Sequence, residues 1–313
     1  ANISSKAELV FNLSQSETLA GGQIQGDGTF TKSGTADLNL SGDNSGFSGT
    51  VNISSGNMNY TQTADSKYFG GTTNISGGIL NFENNLADEN ITISAGNGVL
   101  NKTGSETLNL VGDNSGYKGD INIKEGTLAF NDLNNKFVQS EINLQGSAPD
   151  NKANLVYTAN SDNSFDNTVN LNGNASVTVA GVGSNTISVT NPANTSGNNN
   201  TAAYENADFV FDNSFADFGA TGTGNSFSVS DGSFSLGENT QNFGNSSLNA
   251  DFNNVTINLH QPDESSSGLN TLTFNDLTIS GNTSLNIDLD LKNNKDQQNP
   301  TTDNPESDKI VYN

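Results

Sequence analysis

The chain has no cysteine, no tryptophan and no arginine among its 313 residues; all eleven basic side chains are lysine. Without cysteine, disulfides and thiolate metal centres are excluded. A large chain without such cross-links suggests a fold stabilised by repetition instead. Without arginine there is no planar, two-pronged clamp for phosphate or carboxylate. Acidic residues number 34 against 11 lysines, so the formal net charge is −23. Long-range repulsion therefore opposes binding to nucleic acid or to an anionic membrane. No apolar run is long enough for a membrane-spanning helix, and no signal peptide opens the chain, so the numbering reads as starting on a mature or trimmed fragment.

Hydrophobic residues make up only 31% and charged residues only 14%. What fills the chain is asparagine, with 54 copies, together with glycine, serine and threonine. Such a composition suits a disordered polymer unless the apolar residues are arranged regularly. They are. Triplets with two apolar residues around a small polar one run almost from end to end: Leu38-Asn39-Leu40, Val51-Asn52-Ile53, Leu108-Asn109-Leu110, Ile121-Asn122-Ile123, Ile142-Asn143-Leu144, Val169-Asn170-Leu171 and Val255-Thr256-Ile257. A period of two buries one side of a strand and wets the other, and Gly, Asn, Asp and Ser turns separate the strands. The fold class is all-β.

An internal repeat sets the architecture. Residues 38–60 align without gaps to residues 108–130, with 12 of 23 positions identical, at an offset of 108 − 38 = 70. A weaker echo relates residues 50–60 to 72–82 at an offset of 72 − 50 = 22. Roughly twenty residues is the scale of one solenoid coil, so the longer repeat is expected to hold about three. Stacked coils bury one narrow continuous core, with inward ladders of Leu40, Ile53, Ile75, Leu110, Ile123, Leu144 and Leu171. Gly42, Asp43, Asn44 and Phe47 recur as Gly112, Asp113, Asn114 and Tyr117. These define a turn between coils followed by an aromatic ring that packs on a neighbouring coil.

The segment 27–60 resembles the passenger-associated repeat of autotransporter (type V secretion) proteins. Its pattern runs Gly-x-Gly-x-Leu-x-Lys-x-Gly, then Leu-x-Leu-x-Gly-x-Asn-x-Tyr-x-Gly, then a strand and Gly-x-Leu. The copy at 96–130 is closer, having Tyr117 where the first has Phe47. Residues 277–291 followed by 307–313 are similar to the passenger segment in which a strand pair leads to a Ser/Ala-Asp-Lys-Leu/Ile turn. The two repeats and this end piece cover about a third of the chain. The resemblance implies a right-handed parallel β-helix (β-solenoid) displayed on the bacterial cell surface or secreted. It implies anchoring by a C-terminal outer-membrane barrel beyond this sequence. Adhesion, self-association or display are the roles it implies, with no cofactor. The partner is then a host or neighbouring-cell surface ligand, or a second copy of the chain.

Motifs with chemical overtones have plainer readings. Gly-Asp-Asn-Ser-Gly at 42–46 and 112–116 looks like a serine-protease nucleophile segment, but an inserted Asn breaks the spacing. His260, the sole histidine, cannot serve both copies. One histidine beside Asp263 and Glu264 is a poor metal site. Asp288 and Asp290 read as an exposed acidic strand face. A polysaccharide-active enzyme needs a carboxylate cluster with a basic partner, and the lysines lie scattered from Lys6 to Lys309. The chain therefore reads as non-enzymatic, with a structural stalk carrying a distal binding domain as the alternative and the enzyme third. The expected layout is a solenoid over 1–291, a polar linker over 292–306 and the start of a further strand over 307–313. The loop 190–206, with Asn198, Asn199, Asn200 and Tyr204, is the candidate ligand surface, since loops leaving a solenoid are where specificity can sit.

Overall fold

The computed structural model describes the chain except residues 21–23, 65, 132–139, 148–150, 183–184, 190–192, 212–217, 219, 221, 237–241, 260–270, 287–308 and 313. Among the described residues every regular element is a strand, and every strand pairing is parallel. His260, Asp263, Glu264, Asp288, Asp290 and the linker 292–306 lie outside the described residues. The protein is a parallel β-helix, and its coils fall into two compact units.

The first unit comprises residues 1–158 and 167–178. Its coils have three faces. The first face stacks Glu8–Asn12, Thr29–Ser33, Thr50–Ile53, Thr72–Ile75 and the later half of Glu89–Gly96. The second stacks Glu17–Leu19, Leu38–Leu40, Asn57–Thr61, Ile79–Glu83, Val99–Thr103, Ile121–Ile123, Glu141–Leu144 and Thr168–Asn172. The third begins with Asn2–Ile3 beside Gln25–Gly26 and a bridge from Gly26 to Phe47. It continues with Glu89–Ile91, Thr107–Leu110, Gly126–Asn131 and Ala153–Ala159.

The alternation in the sequence decides which side chains meet inside. In Val51-Asn52-Ile53 and its counterparts the flanking residues are buried and the central one half-exposed. Leu40, Ile53, Ile75, Leu110, Ile123, Leu144 and Leu171 are all at most 2% exposed. Each such side chain contributes roughly 1.5–3 kcal/mol when removed from water. One coil has nothing to bury against, so this gain exists only through stacking. Corners turn tightly where glycines stack. A Cβ on Gly71 would sit 1.9 Å from the Gly49 carbonyl oxygen, and one on Gly49 would sit 2.0 Å from that of Gly28. Only glycine allows successive coils to approach so closely there.

The registers revise the expected relation between repeat and coil. Along the second face Leu38 pairs with Met58, Met58 with Leu80, and Leu80 with Leu100, so coils are 20 or 22 residues long. Three coils thus carry the chain from Leu38 to Leu100 on the same face. Leu108, the residue aligned with Leu38, lies eight residues further on, in a third-face strand. The seventy-residue repeat is three coils plus one face, not three coils. Its second copy is displaced one face around the axis: Thr29–Ser33 stands on the first face and its counterpart Val99–Thr103 on the second.

The second unit comprises residues 159–166 and 179–313. One stack runs Asn163–Phe165, Thr186–Val189, Asp208–Phe211 and the later part of Ser226–Leu236. Another runs Thr201–Glu205, the first part of Ser226–Leu236, Asn249–Asn258 and Asp276–Ser280. Asn242–Gly244, Thr271–Phe274 and Lys309–Tyr312 form a third. Rings fill this core. Phe227 and Phe234 each lie with centroids 5.0 Å from Phe243, and Tyr204 lies 4.9 Å from Phe211. Edge-to-face pairs of this kind contribute about 0.5–1.5 kcal/mol beyond their buried area.

Candidate functional site

The central residues of the triplets point outward and stack. On the second face Asn39, Asn59, Asn81, Asn101, Asn122, Asn143 and Asn170 form one unbroken amide ladder. Each Nδ2 donates to the Oδ1 of the preceding asparagine over 2.7–3.2 Å. A shorter ladder on the first face joins Asn52, Asn74 and Ser94. Each of the five interior amides, from Asn59 to Asn143, engages one N–H and one oxygen lone pair in the stack, which leaves a second donor and acceptor for a partner in front of the face.

The two Gly-Asp-Asn-Ser-Gly segments are turns. Asp43 accepts hydrogen bonds from the Ser45 amide (3.0 Å) and hydroxyl (2.6 Å), which hold its carboxyl below the usual range. The Ser115 bonds do the same for Asp113. Asn44 and Asn114 are fully buried; Asn114 receives the Ile93 amide on Oδ1 (2.6 Å) and donates to the Val111 and Gly112 carbonyls. Gly42 and Gly112 have φ of 83° and 72°, the left-handed region that glycine occupies without strain. Phe47 and Tyr117 are both fully buried, opposite Gly26 and Gly96 respectively, which are themselves seventy residues apart. The Tyr117 hydroxyl lies 2.8 Å from the Gly98 carbonyl and 3.0 Å from that of Asp120.

Two buried lysines escaped the sequence reading. In Thr29-Phe30-Thr31-Lys32-Ser33 the alternation carries Lys32 inward with Phe30, and Lys102 repeats this in the second copy. Neither is exposed to solvent. The Lys32 ammonium donates to the carbonyls of Ser33, Gly34 and Ser55 at 2.9–3.1 Å. That of Lys102 donates to Thr103, Gly104 and Glu125 at 2.6–3.1 Å. Burial lowers both pKa values, that of Lys102 to about 8, against a smaller opposing pull from Glu125 and Glu106. Strict alternation, had it been applied to polar residues too, would have placed both ammonium groups inside.

A cleft of about 430 Å³ opens between coils where residues 62–64 and 66–70 run without a strand. Gln62, Ser66, Lys67, Leu86, Glu89 and Asn90 are on its wall. Its polar groups are largely engaged. Glu89 accepts from the Tyr60 hydroxyl (3.2 Å) and Gln62 Nε2 (3.0 Å), while burial raises its pKa. Gln62 Oε1 accepts the amides of Leu86 (3.0 Å) and Ala87 (3.2 Å). Lys67 is bridged to Asp43 through the backbone and feels the charges of Asp43 and Glu89. The fold therefore brings one lysine near acidic residues, which their spacing in the sequence does not reveal. Among the described residues, no group of three or more His, Asp or Glu side chains is placed to hold a metal ion.

The expected ligand loop has another structure. Asn194–Ser196 and Thr201–Glu205 are strands, joined by a bend at 197–199. Asn198 and Asn199 are exposed, and Asn198 Oδ1 accepts the Thr223 amide at 2.8 Å. Asn200 is fully buried, with its amide group aimed at the Ser196 and Gly197 carbonyls. Tyr204 is 1% exposed and joins the aromatic core. The run of polar residues concealed a coil corner, so the loop supplies two exposed asparagines and no aromatic ligand platform.

The model of the passenger-associated-transport-repeat family matches residues 30–58 and 100–130. Both matched stretches contain the strand, turn and strand just described, each stacked in a β-helix. This is an autotransporter passenger with β-helix repeats. No curated protein and no solved structure matches the passenger. Apart from Ser45, the residues lining the cleft lie between the two matched stretches of the passenger, and the buried lysines lie within them.

Proposed function

We propose that this passenger segment acts without catalysis at the bacterial surface, or as a secreted protein, in adhesion or self-association through its side faces. The observation that carries the reading is the seven-residue asparagine ladder on the second face. It presents a rigid row of amides at the strand spacing, ~4.8 Å, and the five interior ones have hydrogen-bonding capacity left over. A partner with matching groups, including a second passenger, gains many weak bonds in register.

At −23, two passengers repel each other at low salt. Raising salt from 0.01 M to 0.15 M shortens the Debye length from ~30 Å to ~8 Å. Sedimentation velocity across that range tests the proposal: association is expected to strengthen with salt, and replacing Asn81 and Asn101 by lysine is expected to weaken it at 0.15 M. A chain that remains monomeric and binds no cell surface at any salt concentration rejects it in favour of a stalk that displays another domain.

A further inference from the structure

The first face differs from the rest of this acidic protein. Its outward residues over four successive strands are Thr29, Thr31 and Ser33; Thr50 and Asn52; Thr72 and Asn74; then Thr92 and Ser94. None is charged. Thr29, Thr50, Thr72 and Thr92 stand in strict register, each paired with the next. Beside them runs a second row, Thr31, Asn52, Asn74 and Ser94, tied by the bonds from Asn74 to Asn52 and from Ser94 to Asn74. In the first row no hydroxyl has an intramolecular hydrogen bond, so all four face outward free. The patch is bounded by Glu8, which pairs with Thr29 and accepts the Thr31 hydroxyl, and by the turn at Gly112, which lies against Thr92.

The geometry points to this array as a binding face for crystalline water. Three features select that partner. Absence of charge across the array removes any preference for an ionic ligand. The rows repeat at the strand spacing of ~4.8 Å, and the free row is made of threonines, whose branched side chains hold few rotamers and lose little freedom on contact. Water joined tetrahedrally by O–H···O bonds of ~2.75 Å places second-neighbour oxygens ~4.5 Å apart, so the mismatch is about 0.3 Å per row. A second passenger is a poorer occupant. Two rows across four strands, about 20 Å long and 10 Å wide, offer near 200 Å², well under the ~800 Å² per partner of a standard protein interface. A polysaccharide is also poorer, because Tyr60, Tyr68 and the nearby phenylalanines are buried and no aromatic ring stands on the face for a sugar to stack on.

The test is ice recrystallisation with the whole chain at micromolar concentration, beside crystalline cellulose pull-down. The unmodified chain is expected to slow grain growth, and the double variant Thr50→Lys, Thr72→Lys to be at least tenfold less potent. Thr61→Lys with Thr103→Lys adds the same charge on the second face and is expected to leave potency unchanged. Circular dichroism checks that each variant keeps its β signal. If the first pair unfolds the chain, Thr72→Tyr alone blocks the row and is expected to lose potency. A chain that leaves grain growth unaffected, variants of both faces that act alike, or binding to cellulose without an effect on ice each overturns the inference. None of these results depends on whether the second face mediates adhesion.

Discussion

Lys32 and Lys102, seventy residues apart, hold their ammonium groups in matching cages of three backbone carbonyls. In each cage the acceptors are the next two residues and one residue twenty-three further on: Ser33, Gly34 and Ser55 in the first, Thr103, Gly104 and Glu125 in the second. The cage needs a residue that reaches a corner and offers three donors, and the lysine ammonium does both. Replacing Lys102 by Met keeps the bulk but strands three carbonyls. Chemical denaturation is expected to show a loss of about 2 kcal/mol at neutral pH.

The same residue gives a pH signature. Its pKa falls from 10.5 to about 8 on folding because burial disfavours the charge. Between these values the unfolded chain binds more protons than the folded one, so this group makes stability rise with pH across that window. Below pH 8 its contribution is flat. Tyr60, Tyr68, Tyr117 and Tyr204 act oppositely above pH 10, since burial raises their pKa values. Denaturation midpoints from pH 7 to 10 should therefore rise less in Lys102→Met than in the unmodified chain; equal slopes in the two would refute the cage as the source.

The asparagine ladder is expected to respond to position. Asn101 has a neighbour on both sides, donating to Asn81 at 2.7 Å and accepting from Asn122 at 2.9 Å. Asn101→Ala breaks both bonds and should cost about 1–2 kcal/mol, at roughly 1 kcal/mol for each half-exposed bond. Asn39→Ala removes one ladder bond, that from Asn59, and should cost about half as much. Urea titrations of both variants make the comparison.

Tyr117→Phe isolates one hydroxyl. The ring stays buried as Phe47 is in the first copy, while the carbonyls of Gly98 and Asp120 lose their donor. A loss near 1 kcal/mol is expected by thermal or urea unfolding.

Gly71→Ala should be far more damaging than its single methyl suggests. The added carbon falls 1.9 Å from the Gly49 carbonyl oxygen, backbone that cannot swing aside. The coils must part at that corner, so a loss above 3 kcal/mol or failure to fold is expected. Expression and circular dichroism beside Gly77→Ala, where the nearest atom is 2.8 Å away, give the comparison.

Much of this fold is written locally. The triplets place Leu40, Ile53 and Ile123 inside because a strand has a period of two, and nothing distant is needed to see it. Asparagine at the centre of so many triplets likewise anticipates a stacked row. What stays hidden depends on long-range register. Residues 38 and 108 are alike in sequence yet stand on different faces, because twenty- and twenty-two-residue coils do not divide seventy evenly. The threonine array is assembled from four separate coils, and no one segment displays it. Tyr204 was obscured for a simpler reason: polar neighbours suggest a loop, and only the strand Thr201–Glu205 shows the ring turned inward.

The fractional number of coils in each repeat gives the family unit a helical phase. Inserting one more seventy-residue copy would advance everything downstream by about 16 Å along the axis, taking ~4.8 Å per coil, and rotate it by one face. Repeat number thus sets azimuth as well as reach. A patch facing a neighbouring cell in one variant would face sideways in the next, and three added copies in all would restore its heading. Lineages that gain or lose single repeats would therefore re-aim their surfaces without altering a residue in them.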